Sequence, residues 1–170
     1  MWDLRLLSSS LCQTQKPAHK IGNSEFEAGV TAISAHPLLD HVFAAGSYDE
    51  TVRIYDSRKI DQPLAKGSVG GGIWRIKWHP SCWDGETHSC GKMLVAAMHG
   101  GCRVVNINLS SFLSSFTPSN DIEILSEFTE HESMAYGADW LWFGQSQCEA
   151  VASCSFYDNQ AFLWDPYTKH

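Results

Sequence analysis

One motif recurs along this chain, and the recurrence constrains the fold more than any other feature. The clear copies are Ala45–Asp56 and Ala150–Asp165, and a weaker copy runs from Leu94 to Asn106. Each copy has small apolar residues, a polar turn, a second apolar stretch, and an aromatic or aliphatic residue followed by Asp or Asn. Self-similarity at a regular spacing is typical of repeat architectures. We therefore expect three related β-hairpins.

The motif has the form of the second half of a WD-repeat blade, which ends in an aromatic residue and Asp. Val42–Ala45 and Met93–Ala97 are short apolar runs bounded by turn residues, which predicts strands buried on both faces. Thr51–Tyr55 alternates and predicts a strand with one wetter face. No long stretch shows the helical period. The sequence therefore predicts an all-β fold of the WD40-type β-propeller class.

The spacing of the copies predicts a single partial propeller over residues 1–170. The expected blades are 26–68, 69–111 and 131–170, with insertions at 81–91 and 109–132. Trp2-Asp3 and a strand near Leu4–Ser9 are expected to be the end of a preceding blade. Propellers usually close with about 4–8 blades. We therefore expect the carboxyl-terminal part of a longer protein, whose missing blades would cover the exposed edges.

Charge and hydropathy exclude several kinds of partner. The formal net charge is −7 at pH 7, which argues against the nucleic-acid backbone as a partner, because such binding needs clustered Lys and Arg. No apolar stretch approaches the length of a membrane span. The start, Met-Trp-Asp-Leu-Arg, lacks a signal-peptide pattern. We expect a cytoplasmic protein that binds neither nucleic acid nor membrane.

The six cysteines do not predict a metal centre. None forms a Cys-x-x-Cys pair or has zinc spacing with histidine. Cys82 and Cys90 share the first inserted loop with His79 and His88, a weak and irregular set of potential ligands. Cys102 and Cys154 fall in predicted strands and are expected to be small buried side chains. The sequence predicts free thiols and no metal.

Four segments carry a more specific signal, in this order: Gly71–Pro80, Ala96–Gly100, Tyr136–Trp140 and Ser153–Asp158. Together they resemble the carboxyl-terminal half of the diphthine methyl ester hydrolase family, the WD-repeat proteins of diphthamide biosynthesis. The resemblance covers most of residues 26–165. Other WD repeats do not share Gly-Gly-x-Trp-Arg-Ile-Lys-Trp-His-Pro or Tyr-Gly-Ala-Asp-Trp.

This resemblance implies a carboxylesterase that acts on a protein. The implied reaction hydrolyses the methyl ester of methylated diphthine on elongation factor 2 and releases methanol, with no metal or organic cofactor. Two other interpretations stay open. The chain could be a non-enzymatic scaffold that holds a partner by its rim, or an inactive truncated product.

The repeat pattern suggests which residues would perform this chemistry. In a WD blade, the turn between the second and third strands lies on the same rim as the entry to the first strand. His99 occupies the turn position that holds Asp49 and Asp158 in the flanking blades, and an imidazole suits proton transfer near neutral pH. We expect His99 to be a general base, with Asp139 either orienting it or neutralising a substrate cation. The other interpretation of His99 is a solvated turn residue.

The implied substrate carries a trimethylammonium group, which aromatic faces and carboxylates hold well. The candidate binding residues on this rim are Trp74, Tyr136, Trp140 and Asp158. Each also has a structural interpretation. Asp158 could brace its own turn, and the tryptophans could fill the space between blades.

Overall fold

The computed structural model contains three antiparallel sheets that stack side by side. It describes residues 21, 23–81, 91–107, 122–142 and 149–167. After a 3₁₀ turn at Asn23–Glu25, the first blade comprises β1 (Val30–Ala35), β2 (Val42–Ser47), β3 (Thr51–Asp56) and β4 (Ala65–Ser68). The middle blade comprises β5 (Arg75–Trp78), β6 (Lys92–Ala96), β7 (Cys102–Ile107) and β8 (Ile122–Phe128). The last blade comprises β9 (Ala135–Trp142), β10 (Glu149–Ser155) and β11 (Ala161–Trp164).

The strands of every sheet pair in chain order, each antiparallel to its neighbour. The first strands β1, β5 and β9 contact one another in succession, and the outer strands β4 and β8 also meet. Sheets with equivalent strands side by side are the arrangement of propeller blades around an axis. The predicted all-β partial propeller is confirmed.

The core consists of two apolar layers, one on each side of the middle blade. Met93 and Val95 of β6 pack toward the first blade, while Leu94 and Ala96 pack toward the last blade. Successive side chains of a strand point to opposite faces, so a strand between two blades must be apolar at every position. This explains why Met93–Ala97 shows no alternation.

A repeated contact joins each blade to the next. The Trp78 indole nitrogen donates to the Ser34 carbonyl at 3.2 Å, and its ring meets the edge of His36 with centroids 4.6 Å apart. One blade later, the Trp140 indole donates to the Lys77 carbonyl at 3.2 Å and meets His79 at 4.5 Å. Each indole therefore fills apolar space and also satisfies its only donor.

Several expectations about the blades need correction. The segment 109–132 was expected to be an insertion, but its second part forms β8, the outer strand of the middle blade. Ile124 and Leu125 of β8 are exposed, and an outer strand with one neighbour does not need a buried, regular pattern. The predicted wetter face of β3 is also wrong, because Val52–Asp56 is buried throughout.

Other expectations concern particular residues or lie outside the description. Cys102 is buried as expected, but Cys154 is exposed. The leftover strand near Leu4–Ser9, the first insertion beyond Ser81, and the Cys82–His88–Cys90 set lie outside the described residues. In the described part of the last blade the sheet has three strands.

Candidate functional site: an aromatic rim

One rim of the stacked blades carries a continuous row of aromatic side chains. Its members come from the turns after β2 and β10 and from the chain entering β5 and β9: Tyr48, Trp74, Tyr136, Phe156 and Tyr157. We call this set the aromatic rim. All three blades contribute to it, because equivalent turns of stacked blades lie at the same end.

Neighbouring rings of the aromatic rim contact one another edge to face. Trp74 lies between Tyr48 and Tyr136, with centroid distances of 6.3 and 5.0 Å. Phe156 continues the row from Tyr136 at 6.4 Å to Tyr157 at 5.1 Å. An edge-to-face pair covers only one face of one of its two rings, and Phe156 and Tyr157 are 68% and 67% exposed. An exposed apolar row of this kind is typical of a binding surface.

The phenol of Tyr136 is held neutral. Its hydroxyl donates to Met134 Sδ at 3.3 Å. Partial desolvation, and then the neighbouring Tyr157 phenol, raise the pKa of Tyr136 above its ordinary value. Tyr136 therefore presents an uncharged ring, whose faces carry the negative part of the ring quadrupole.

His99 lies on this rim, in the turn between β6 and β7, and its partner comes from the neighbouring blade. Its Nε2 lies 3.3 Å from the Glu50 carboxylate, and the two side chains are 59% and 42% exposed. Glu50 occupies a left-handed turn position with φ of 65°. The structure therefore pairs His99 with a carboxylate at an accessible place, which is the arrangement of a base and an orienting group.

The expected pairing of Asp139 with His99 needs correction. Asp139 lies on β9, where its carboxylate accepts a hydrogen bond from Lys77 Nζ at 3.0 Å. Its second oxygen accepts from the Trp140 backbone N–H. The carboxylate beside His99 belongs to Glu50, because the turn after β2 of the first blade reaches the turn of the middle blade.

Trp140 also takes a role different from the predicted one. It is 8% exposed and forms the contact between the middle and last blades. Its ring faces are covered by protein, so the predicted role in substrate binding is corrected to a packing role. Trp74 and Tyr136, in contrast, lie together on the rim where they were expected.

Asp158 belongs to a hydrogen-bonded network within the last blade. The Trp164 indole donates to Ser153 Oγ at 3.1 Å, and that hydroxyl lies 2.8 Å from His131 Nε2. On the other side, His131 Nδ1 lies 3.0 Å from Ser155 Oγ, and this hydroxyl donates to Asp158. These contacts support the interpretation that Asp158 braces its own blade, and its role in substrate binding stays a prediction.

The network identifies His131 as a neutral imidazole. With the ring proton on Nδ1, each group donates one hydrogen bond to the next group in the row. The order is Trp164, Ser153, His131, Ser155 and Asp158. Burial lowers the pKa of His131, although the nearby Asp158 charge acts in the opposite direction. Sequence reasoning missed His131 because it fell in a segment interpreted as an insertion. WD repeats carry a His near the start and Trp-Asp at the end. The His131 position, 33 residues before Trp164-Asp165, could therefore have been recognised from the sequence.

Metal centres and membrane-spanning helices are both absent from the part of the chain that the structure describes. No group of three or more His, Cys, Asp or Glu side chains there could hold a metal ion. No helix among those residues has the length and apolar character needed to cross a membrane.

Comparison with known proteins supports the fold. The family model "WD domain, G-beta repeat" matches residues 15–56. A chain in the crystal structure of the mitotic checkpoint complex superposes with a TM-score of 0.61 over 85% of this chain and 38% of that one, at 11% identity. The chain has the WD40-type propeller fold.

Several curated proteins are similar in sequence to most of this chain. The Dictyostelium discoideum protein named diphthine methyltransferase homolog is 34% identical over 98% of the chain. The Homo sapiens diphthine methyltransferase is 36% identical over 77% of the chain. The matched regions span 43% and 26% of those relatives, so the chain corresponds to a part of each.

These names correct the predicted reaction. The resemblance to a diphthine-related WD-repeat family is supported, but the relatives are named methyltransferases. The interpretation as a carboxylesterase that hydrolyses a methyl ester and releases methanol is therefore wrong. The interpretation as a non-enzymatic scaffold gains no better support from them.

Proposed function

We propose that this chain forms the diphthine-facing part of a protein with a methyl-transferring role in diphthamide biosynthesis. The observation that carries the proposal is the aromatic rim, an exposed row of rings at the mouth of a WD40 fold whose relatives bear the name diphthine methyltransferase. On this proposal the protein partner is elongation factor 2, met in the cytoplasm, and the missing blades complete the mouth.

Cation–π attraction is the physical basis of the proposed recognition. A quaternary ammonium group cannot donate a hydrogen bond, so ring faces and nearby negative charge are its best partners. Trp74 and Tyr136 supply the rings, and the Glu50 carboxylate, which faces His99, supplies negative charge on the same rim. A chain of net charge −7 also favours a cationic group electrostatically.

His99 is the proposed proton-handling group of this mouth. It is exposed and faces Glu50 at 3.3 Å, so a substrate could approach the ring on its open side. An imidazole can take up the proton that a methyl-accepting O–H or N–H group gives up as the methyl group is transferred to it. We propose that Glu50 orients the ring, the part originally expected of Asp139.

The experiment uses the intact protein with elongation factor 2 that carries diphthine, in the presence of a methyl donor. Mass spectrometry of the modified peptide should reveal the addition of one methyl group. Trp74→Leu should raise KM by about tenfold with little change in kcat, because it removes a cation–π face used for binding. An unchanged peptide mass with the unaltered protein would refute the proposed function.

Tyr167→Leu is the matched control. Tyr167 is 55% exposed and contacts Lys92 at the start of β6, at the opposite rim. Its replacement should leave KM unchanged. If Trp74→Leu and Tyr167→Leu behave alike, the aromatic rim is not the substrate face even where methyl transfer is observed.

A further inference from the structure

A run of three glycines, Gly70–Gly72, lies in the chain that joins β4 of the first blade to β5 of the middle blade. We call Val69–Trp74 the connecting segment. Both blades that it joins have four strands. Its surroundings therefore belong to a blade interface that is complete on both sides.

The connecting segment is tied to the turn that carries Glu50. The Val69 N–H donates to the Glu50 carbonyl at 2.9 Å, and the Ile73 N–H donates to the Ser47 carbonyl at 3.0 Å. These two hydrogen bonds flank the glycines. The segment therefore cannot move relative to the backbone of Glu50 without breaking one of them.

The same glycines touch the turn that carries His99. Gly71 is buried, and a methyl group on its Cα would overlap the Ala97 carbonyl oxygen and lie 2.8 Å from the Gly100 nitrogen. A methyl group on Gly100 would lie 2.6 Å from the Gly70 carbonyl oxygen. The two backbones can approach this closely only because neither Gly71 nor Gly100 has a side chain.

The last blade holds the turn of His99 from its other side. The Ala135 N–H donates to the Met98 carbonyl at 3.0 Å, and Met98 has a left-handed φ of 44°. The turn thus lies between Ala135 and the connecting segment. His99 and Glu50 keep their separation of 3.3 Å because the backbones of both turns pack against this one segment.

We propose that Gly71 is a positioning residue, which holds His99 within reach of Glu50 by allowing the connecting segment to pack against the turn. The inference rests on the proposed function, in which His99 handles a proton and Glu50 orients its ring. Gly71 acts through the backbone of the neighbouring turn and not through contact with the substrate. Since proton transfer needs partners about 3 Å apart, a small displacement of His99 should lower the rate more than the affinity.

Methyl transfer to elongation factor 2 by the intact protein measures the effect on catalysis. Gly71→Ala should lower kcat by about tenfold and change KM by less than about twofold. His99→Ala should lower kcat by about 100-fold. The double variant should be no slower than His99→Ala alone, because Gly71 acts through His99. A further tenfold loss in the double variant, or an unchanged kcat in His99→Ala, would overturn the inference.

Gly67→Ala is the matched control. Its methyl group would lie 2.8 Å from Ile122 Cβ, between the outer strands β4 and β8, so it also overpacks the interface of the first and middle blades. It should lower the thermal unfolding temperature, as Gly71→Ala does, but leave kcat unchanged. Equal losses of kcat in these two variants would contradict a positioning role. If Gly71→Ala does not fold, Gly100→Ala tests the same contact from the turn and should give the same loss of kcat.

A spectroscopic measurement separates this inference from the proposed function. In proton–nitrogen NMR spectra of the histidine rings, the His99 signal is assigned by its loss in His99→Ala, and Glu50→Gln should shift it. Gly71→Ala should shift the same signal in the same direction, and Gly67→Ala should leave it in place. These shifts without methyl transfer by the unaltered protein would refute the proposed function and leave the positioning of His99 standing. An unmoved His99 signal in Gly71→Ala would overturn the positioning role even where methyl transfer is observed.

Discussion

The first and last blades brace the same turn with different chemistry. In the last blade, a neutral row of hydrogen bonds runs from Trp164 through Ser153 and His131. In the first blade, Tyr55 occupies the place of Trp164, and the turn is held by an ion pair. Both oxygens of Asp49 lie 2.9 Å from Arg53, and both side chains are only 6% exposed.

An aromatic ring replaces the imidazole in the first blade. The Arg53 guanidinium lies 4.6 Å from the centroid of Phe26, which in turn contacts Tyr55. Burial raises the pKa of Tyr55 to about 12, so the phenol stays neutral. The same fold position is thus filled either by a neutral polar network or by a buried charge pair stacked on a ring.

The two arrangements should lose different amounts of stability when one partner is removed. A buried ion pair that loses one partner leaves a charge without compensation. A neutral network that loses one member leaves unsatisfied dipoles, which cost less. The first blade should therefore be the more sensitive to a single substitution.

The largest effect is expected for Asp49→Ala, which leaves Arg53 buried and unpaired. We expect the free energy of unfolding to fall by about 3 kcal/mol, measured by urea denaturation. Asp158→Ala in the last blade should produce a smaller loss, since its carboxylate interacts with a hydroxyl instead of a cation. Equal losses in the two variants would remove the distinction between the blades.

Ser153→Ala tests the neutral network directly. Its hydroxyl is the partner of both the Trp164 indole and His131, so both buried groups lose a hydrogen bond. The expected loss is about 2 kcal/mol by the same measurement. A loss larger than that of Asp49→Ala would reverse the order of the two blades.

Gly46→Ala and Gly137→Ala together compare how tightly side chains pack against the first and last blades. A methyl group on Gly46 would overlap the fully buried Ile73, and overpacking of this kind should cost about 1.5 kcal/mol. Gly137→Ala is the matched change in the last blade, where the contact is the exposed Cys154 thiol. We expect it to change stability by less than about 0.5 kcal/mol, since that side chain can move.

The smallest expected difference between the first and last blades is in the pH at which each loses stability. Because burial lowers the pKa of His131, protonation favours the unfolded chain, and stability should fall as the pH drops through about 6.5. Burial alone would raise the pKa of Asp49, but Arg53 and the backbone N–H groups of Glu27 and Thr51 together lower it. The first blade should therefore lose stability only as the pH falls below about 3.8. His131→Gln should flatten the pH dependence of the unfolding free energy between pH 7 and pH 5.

The accuracy of the sequence predictions varies with the kind of information that each needed. The strands β2, β6 and β10 were predicted because short runs of small apolar residues have few other uses. The outer strand β8 was missed, since an exposed strand with acidic residues has the composition of a loop. Trp74 and Tyr136 were placed on one rim correctly by the equivalence of repeats.

The partners of polar side chains were less predictable. Asp139 was expected beside His99, but the carboxylate there belongs to Glu50, in the turn after β2 of the first blade. Asp139 instead pairs with Lys77. Arg53 was expected on a wetter face, but Asp49 and Phe26 cover it. Each error concerns a contact between segments that are separated in the fold or a covering group that periodicity does not reveal.

By itself, the sequence determined that this chain forms stacked antiparallel blades, because the repeated motif encodes local turns and strand faces that need no distant partner. Only the tertiary structure decided which charges meet and which indoles are covered. Those outcomes depend on how neighbouring blades approach each other, and a period of two specifies the face of a side chain without specifying what lies against it.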